Sequence, residues 1–229
     1  MRAKAKIWHA WAAAALSGLL GPATFAQDLP AAAPPEAVTF TQHAAATADF
    51  AGQPASADAR YVADWVVDSR DNGGLPFAVV DKKGARIFIF GADGRLKGST
   101  QALLGLTPGD YGVPDLNKRN LARLAAFERT TPAGRFVAQP GYNLKGEDII
   151  WVDYNAALAI HRLRPAPAQE RRAERMASAS ADDNRISLGC VVVPVAFYEN
   201  IVRPVLAKSR SVVYILPETQ PVREMFGWQ

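Results

Sequence analysis

The sequence Arg185-Ile-Ser-Leu-Gly-Cys190-Val-Val-Val-Pro194 holds the only cysteine among the 229 residues. Gly189 directly before Cys190 permits a turn with unusual backbone dihedrals. Backbone N–H groups around such a turn can point at a developing oxyanion. Three valines follow, and Pro194 stands where a helix can begin. This order predicts a nucleophilic thiol held at an open turn; a buried, inert cysteine is the alternative.

A nucleophilic thiol needs a base or a cationic neighbour to lower its pKa. His161 is the one imidazole inside the predicted folded region, because His9 falls in an export signal and His43 in a linker. The strand period of two places His161 on one face of a predicted strand at 157–163. A single cysteine with a histidine elsewhere is a candidate nucleophile pair, so Cys190 and His161 are the candidate catalytic residues. A structural histidine is the alternative.

Residues 1–26 have the basic, apolar and cleavage-site order of a secretory signal. Arg2, Lys4 and Lys6 form the basic start, an apolar run of 14 residues follows at 7–20, and small residues precede a predicted cleavage after Ala26. The run is shorter than the roughly 20 residues that a membrane-spanning helix needs. We therefore expect export to the periplasm and no stable membrane insertion after cleavage; a retained anchor is the alternative.

The charge of the chain argues against nucleic acid as a partner. The sequence has 26 basic and 22 acidic residues, a formal charge of +4. Cleavage after Ala26 removes three basic residues and no acidic residue, which leaves 23 against 22 and a charge of about +1. No basic stripe with interleaved aromatic residues appears either. A lone cysteine also cannot form the intramolecular disulfide that staples many exported domains.

The patterns divide the chain into four segments: a signal peptide at 1–26, a flexible linker at 27–58, a folded domain at 59–217 and a C-terminal tail at 218–229. The linker is rich in alanine and proline and has no clear period. The folded domain reads as mainly β, with Gly/Asp turns between short strands. Strands are expected at 77–80, 85–90, 95–100, 135–138, 148–154, 157–163 and 212–216.

Helical patterns are few. Residues 120–127 predict a short helix, and 195–206 predict another that Pro204 kinks or shortens. An excursion at 164–183 interrupts the β pattern and contains a charged stretch at 169–177 that reads as an exposed helix. This excursion joins the segment of His161 to that of Cys190. It is either a solvated surface segment or a lid over the site.

Three segments in the right order resemble the L,D-transpeptidases with a YkuD-type catalytic domain. The family pattern is a His, a variable stretch and then Ser/Thr-x-Gly-Cys, which His161 and Ser187-Leu-Gly-Cys190 match. A second hallmark, Thr-Pro-x-Gly-x-Phe before a strand, is similar to Thr131-Pro-Ala-Gly-Arg-Phe136. The opening meander at 85–99 is also similar, and the resemblance covers roughly 75–216. It implies a mainly β domain, an L,D-transpeptidase-like sandwich with one or two short helices.

The chain departs from the family pattern around the cysteine. Leu188 stands where many members have His, and Val192 stands where many have Arg or Asn. The interval of 29 residues from His161 to Cys190 is longer than usual because of the excursion. Arg162 follows His161 where a small residue is common, but the family's third catalytic member is a backbone carbonyl beside the His. A carbonyl is present with any side chain.

The resemblance implies that Cys190 attacks a peptidoglycan stem peptide, that the terminal D-alanine leaves, and that a second stem's amine resolves the thioester into a 3–3 cross-link. An envelope protein is a second candidate acceptor. Gly189, Ser187 and Arg162 are the expected oxyanion or site-shaping residues, and no metal or organic cofactor is required. Two alternatives stay open: a hydrolase of stem peptides or murein–protein links on the same fold, and a non-catalytic module that binds murein.

Overall fold

The computed structural model of the protein describes residues 45–227. The domain is mainly β, as the sequence predicts, and the expected meander, the 148–163 hairpin and the final strand are confirmed. The ten strands are β1 Phe77–Asp81, β2 Arg86–Phe90, β3 Leu96–Gln101, β4 Leu104–Gly105, β5 Gly134–Tyr142, β6 Asp148–Asp153, β7 Leu158–Arg162, β8 Arg185–Ser187, β9 Val191–Val193 and β10 Ser211–Ile215. The predicted signal peptide and residues 27–44 of the predicted linker lie outside the described residues.

Short helices connect and cover the strands. They are α1 Ala57–Ser69, α2 Arg172–Ala177, α3 Val195–Phe197, α4 Arg203–Leu206 and α5 Val222–Met225. A π-helical segment, Tyr198–Val202, joins α3 to α4, so the predicted 195–206 helix is continuous but wider just before Pro204. The predicted helix at 120–127 is instead two separate 3₁₀ turns, Leu121–Arg123 and Ala126–Glu128. Between residues 45 and 227, no helix is both long enough and apolar enough to cross a bilayer.

The strands form one large mixed sheet in the order β3-β2-β1-β10-β5-β6-β7-β9 and a small sheet of β4 and β8. In the large sheet, β1 runs parallel to β10 and β7 runs parallel to β9, and the other neighbours are antiparallel. Leu103, just beyond β3, exchanges backbone hydrogen bonds of 2.8 and 2.9 Å with Val192 of β9. The two ends of the large sheet therefore approach each other, and its halves enclose a core.

That core explains the order of apolar residues along the strands. Ile89, Ile150 and Val193 come from opposite halves of the sheet and pack with Tyr198 of the π-helical segment, all fully buried. A second cluster covers the outer face of β1, β2 and β10, where the apolar face of α1 packs on aromatic side chains. Burying one such side chain contributes about 1.5–3 kcal/mol, so these clusters are the main source of stability.

The packed domain begins before the boundary expected at residue 59. Asp49 donates its backbone N–H to the carbonyl of Gly94 at 3.0 Å, and Phe50 is buried in the cluster beneath α1. Ser56 caps α1 by accepting a hydrogen bond from the N–H of Ala59 at 3.1 Å. The part of the predicted linker from residue 48 onward therefore belongs to the packed domain.

The segment expected as a C-terminal tail also packs on the domain. Val222 and Phe226 are buried in the same cluster as α1. Glu218 is almost fully buried and forms an ion pair with Arg185. The sequence prediction missed this because polar and proline residues at 217–221 read as a surface end, whereas the partners of Glu218 come from distant parts of the chain.

The 164–183 excursion is attached to the sheet next to β9. Met176 of α2 is buried against Leu103 and Val192, and Leu163 packs on the same small cluster. Arg175 donates a hydrogen bond of 3.0 Å to the carbonyl of Asp183, which ties the end of α2 to the end of the excursion. The excursion therefore borders the outer face of β9, which is the strand that follows Cys190.

Candidate functional site

The turn between β8 and β9 requires glycine at position 189. Gly189 has φ +135°, and a Cβ built there would lie 2.9 Å from the carbonyl oxygen of Thr130. An L side chain rarely adopts that φ, and the carbonyl is backbone that cannot rotate away. Glycine therefore lets the chain turn tightly against the 130–131 segment immediately before the cysteine.

Two hydroxyl groups hold this turn. Ser187 Oγ donates to the carbonyl of Cys190 at 2.7 Å and accepts from the N–H of Gly189 at 3.1 Å. The fully buried Thr131 donates its Oγ1 hydrogen to the carbonyl of Gly189 at 2.7 Å and accepts from the N–H of Gly105 at 2.8 Å. Ser187 thus lies where it shapes the turn. Thr131 was part of a quoted motif, but it was not expected as a site residue.

The N–H of Gly189, expected as an oxyanion donor, is directed at Ser187 Oγ in this conformation. It is therefore engaged inside the turn instead of facing the cleft. To donate to an oxyanion, this N–H would have to break its hydrogen bond with Ser187 Oγ. The side chain of Ser187 consequently controls the donor that sequence reasoning assigned to Gly189.

A buried cluster of charged residues forms a hydrogen bond to the backbone of Thr131. Lys82 is fully buried, and its Nζ lies 2.9 Å from Asp110, 3.4 Å from Glu218 and 3.0 Å from the carbonyl of Thr131. Burial alone would raise the pKa of Asp110, but hydrogen bonds from Thr219 and Lys82 lower it to about 2. The partners of Lys82 lie far away along the chain, at 110, 131 and 218, so the local sequence does not predict its burial.

Parallel pairing of β7 and β9 brings His161 to the face that carries the cysteine. His161 is the register partner of Val192, and paired residues of neighbouring strands point to the same side. Cys190 lies two residues before Val192 and therefore continues that face. His161 and Cys190 line one cleft of about 190 Å³, together with Ser187, Leu188 and Val192 among others.

The imidazole of His161 is neutral and has a defined tautomer. Its Nδ1 lies 2.8 Å from the carbonyl of Arg162, so Nδ1–H donates and Nε2 is left as an acceptor. His161 is only 7% exposed. Burial, with the nearby charge of Arg164, lowers its pKa to about 4, and the negative charge of Glu147 opposes the shift only in part. At neutral pH the ring therefore carries only its Nδ1 proton, and Nε2 can accept a second one.

The thiol of Cys190 is also neutral at rest. The residue is partly exposed, and its Sγ donates a hydrogen bond of 3.4 Å to the carbonyl of Ala157. Burial of the sulfur raises the pKa of the thiol. Within residues 45–227 no hydrogen bond links Sγ to the imidazole, so the two groups share a cleft without forming an ion pair.

The side chain of Arg162 does not belong to this cleft. Its guanidinium pairs with Asp148 and lies 3.1 Å from Glu199, with its carbon 4.5 Å over the ring of Tyr198. The alternation of β7 turns residue 162 to the face opposite His161. Arg162, expected as a site-shaping residue, therefore meets the site through its carbonyl, which lies 2.8 Å from His161 Nδ1, and not through its side chain.

Several other residues of the cleft were not predicted from the sequence. Leu116 and Leu121 come from the irregular 106–130 segment, and Arg164 and Arg172 come from the excursion. The excursion is linked to the site in sequence, but its side-chain directions depend on packing of Met176. Within the described part of the chain, no group of three or more His, Cys, Asp or Glu residues could hold a metal ion.

Comparison with known proteins adds a distant structural likeness. No protein-family model and no curated protein matches the chain. A structure of the Ldtfm–avibactam carbamoyl enzyme is 15% identical with a TM-score of 0.39, over 62% of this chain and 49% of that one. A mutant of Enterococcus faecium L,D-transpeptidase is 14% identical with a TM-score of 0.36, over 62% and 50%. The chain spans about half the length of these L,D-transpeptidases, and such low values do not by themselves establish a shared family.

Proposed function

We propose that the protein is an exported cysteine enzyme that acts on peptidoglycan stem peptides through an acyl-enzyme at Cys190. One observation carries the proposal: the sole thiol and the neutral, carbonyl-bonded imidazole of His161 line one cleft, at a turn that only glycine fits. The motif resemblance to L,D-transpeptidases supplies the substrate class. The periplasm is the proposed location, and N-terminal sequencing of the secreted form should begin at Gln27.

In the proposed mechanism both groups start neutral, so proton transfer accompanies attack. His161 Nε2 accepts the thiol proton as Sγ attacks the carbonyl carbon on the L-centre side of diaminopimelate. The carbonyl of Arg162, bonded to Nδ1, stabilises the imidazolium that forms. The imidazolium then protonates the departing D-alanine amine, which leaves a thioester on Cys190. The amine of a second stem resolves the thioester and forms the 3–3 cross-link.

The burial that favours neutral groups also has a cost for this mechanism. Attack creates an imidazolium at His161 in a cleft where burial disfavours charge. Attack therefore depends on a substrate that positions its carbonyl carbon against Sγ, so that bond formation to sulfur offsets the cost of the new charge.

Incubation of the purified protein with a disaccharide-tetrapeptide tests the proposal. A dimer mass with loss of one D-alanine is the expected product. Disaccharide-tripeptide alone would identify the enzyme as a carboxypeptidase, in which water resolves the thioester. Binding to murein without either product would identify a non-catalytic module. Cys190→Ala should abolish both products while leaving the urea unfolding midpoint close to that of the parent, and full activity in this variant would overturn the proposal.

A further inference from the structure

Two guanidinium groups border the cleft of Cys190 and His161. Arg164 is the first residue of the excursion, and Arg172 is the first residue of α2. Both side chains are about a quarter to a third exposed, at 31% for Arg164 and 25% for Arg172. The charges of both lower the pKa of His161, and that of Arg164 also acts on the thiol of Cys190. Their field therefore reaches the reacting groups.

Existing partners use only part of each guanidinium. Arg164 Nε lies 2.7 Å from a carboxylate oxygen of Glu147, and Arg172 Nε pairs with Glu170. Neither arginine donates a hydrogen bond from its terminal Nη groups to another residue between 45 and 227. Since a guanidinium has five donors in a planar fork, each can still bind a carboxylate through its outer edge.

Apolar side chains also line the cleft. Val192 is the register partner of His161 and is buried, and Leu188, two residues before Cys190, lines the same cleft. No positive charge therefore comes from the β9 strand itself. The positive charge at this cleft comes instead from the excursion, which is held in place by Met176 packing on Val192.

We infer that Arg164 and Arg172 form a carboxylate-binding subsite beside Cys190, so that the excursion selects acyl donors with a free carboxylate next to the scissile amide. The choice of acyl donor rests on the proposed function, whereas the subsite itself does not. A carboxylate bound there lies against two cations in a partly enclosed cleft with an apolar floor. Such a site discriminates by charge, because a neutral amide of the same shape forms no ion pair with the guanidinium groups.

Paired alkylating reagents test the subsite without any peptidoglycan. Iodoacetate and iodoacetamide react identically: Sγ forms a bond to carbon, iodide leaves with the bonding electrons, and the thiol proton passes to solvent. The thiol pKa and the accessibility of the sulfur affect both rates equally and cancel in their ratio. The ratio therefore reports how strongly the cleft prefers a reagent with a carboxylate over a neutral one. We expect this ratio in the folded parent to exceed that of the urea-unfolded chain and to fall with added salt.

Single substitutions measure how much each arginine contributes to the ratio. Arg164→Gln and Arg172→Gln should each lower the iodoacetate-to-iodoacetamide ratio by about three- to tenfold, as expected for removal of one unit charge near the sulfur. Arg172→Lys keeps the charge and should retain most of the ratio. Arg171→Gln is the matched control, because Arg171 is the neighbouring residue, pairs with Glu174 and is not part of the cleft.

Three results would overturn the subsite: an unchanged ratio in both glutamine variants, an equal fall in Arg171→Gln, or a parent ratio no higher than that of the unfolded chain. Failure of the proposed function would look different. A parent that prefers iodoacetate through Arg164 and Arg172 but never converts disaccharide-tetrapeptide keeps the subsite and rejects the transpeptidase.

Discussion

Replacing Thr131 by valine removes one hydroxyl and changes little in volume. That hydroxyl donates to the carbonyl of Gly189 at 2.7 Å and accepts from the N–H of Gly105 at 2.8 Å, at a residue with no exposed surface. Each buried backbone group left without a partner costs about 1–3 kcal/mol. Thr131→Val should therefore lower the free energy of unfolding by about 2–6 kcal/mol, which is a large share of the stability of a domain.

Thr131→Ser is the matched control, because it keeps the hydroxyl and removes one buried methyl group, at a cost of about 1 kcal/mol. Urea unfolding followed by tryptophan fluorescence gives both free energies. The rate of alkylation of Cys190 by iodoacetamide in buffer reports the turn itself. Once the carbonyl of Gly189 is released, the 187–190 turn should open more often, and the valine variant should react faster than the serine variant.

A valine variant as stable as the serine variant would refute this reasoning. It would mean that the hydroxyl of Thr131 does not hold the 187–190 turn to the 105 segment. Equal alkylation rates in two variants of unequal stability would keep the energetic argument but would show that the position of Cys190 does not depend on Thr131.

Three further predictions use the same unfolding assay. Burial lowers the pKa of His161 from 6.5 to about 4, so between pH 6.5 and pH 4 the unfolded chain binds a proton at this ring and the folded chain does not. The free energy of unfolding should therefore be unaffected by this group above pH 6.5 and fall by about 3 kcal/mol as the pH falls toward 4. His161→Gln should remove this part of the pH dependence. Equal slopes would contradict the burial of a neutral imidazole. Gly189→Ala should lower the free energy of unfolding by about 2–4 kcal/mol, and Gly146→Ala should lower it by less. Both glycines have positive φ, but only a Cβ at position 189 would meet a backbone carbonyl, at 2.9 Å. Lys82→Met should lower the free energy of unfolding by about 3–5 kcal/mol, because it leaves the buried carboxylate of Asp110 without its cation while Glu218 keeps Arg185. Lys83→Met, at an exposed pair, should cost less than about 1 kcal/mol, and similar losses in the two variants would contradict the buried cluster.

Local patterns predicted most of the strands because each depends on neighbouring residues. The meander at 77–101 and the hairpin around Asn155 follow from turn residues and alternation, and both occur as expected. Helix α1 was missed although Ser56 and Asp58 are typical of a helix start. The run Trp65-Val-Val67 has the β-branched character of a strand. Packing of Val62 and Val66 on the outer face of β1 and β10 decides for the helix.

The site was predictable where it depended on residue type and was not where it depended on long-range pairing. Cys190, His161 and Ser187 could be named from their motif, and the structure places all three at one cleft. The direction of the Arg162 side chain could not be predicted, because it depends on the register in which β7 pairs with β9. Arg164 and Arg172 reach the cleft only because the excursion packs on β9, and nothing local in the sequence encodes that contact.

In the proposed mechanism, Cys190 forms an acyl-enzyme with help from His161. Mixing the protein with disaccharide-tetrapeptide, quenching in acid and measuring the intact mass tests it most directly. We expect an adduct equal to the substrate minus D-alanine, mapped to Cys190, which forms more slowly in His161→Gln and is absent in Cys190→Ala. Turnover of the substrate without any adduct on Cys190, or an adduct that forms at the parental rate without His161, would contradict it.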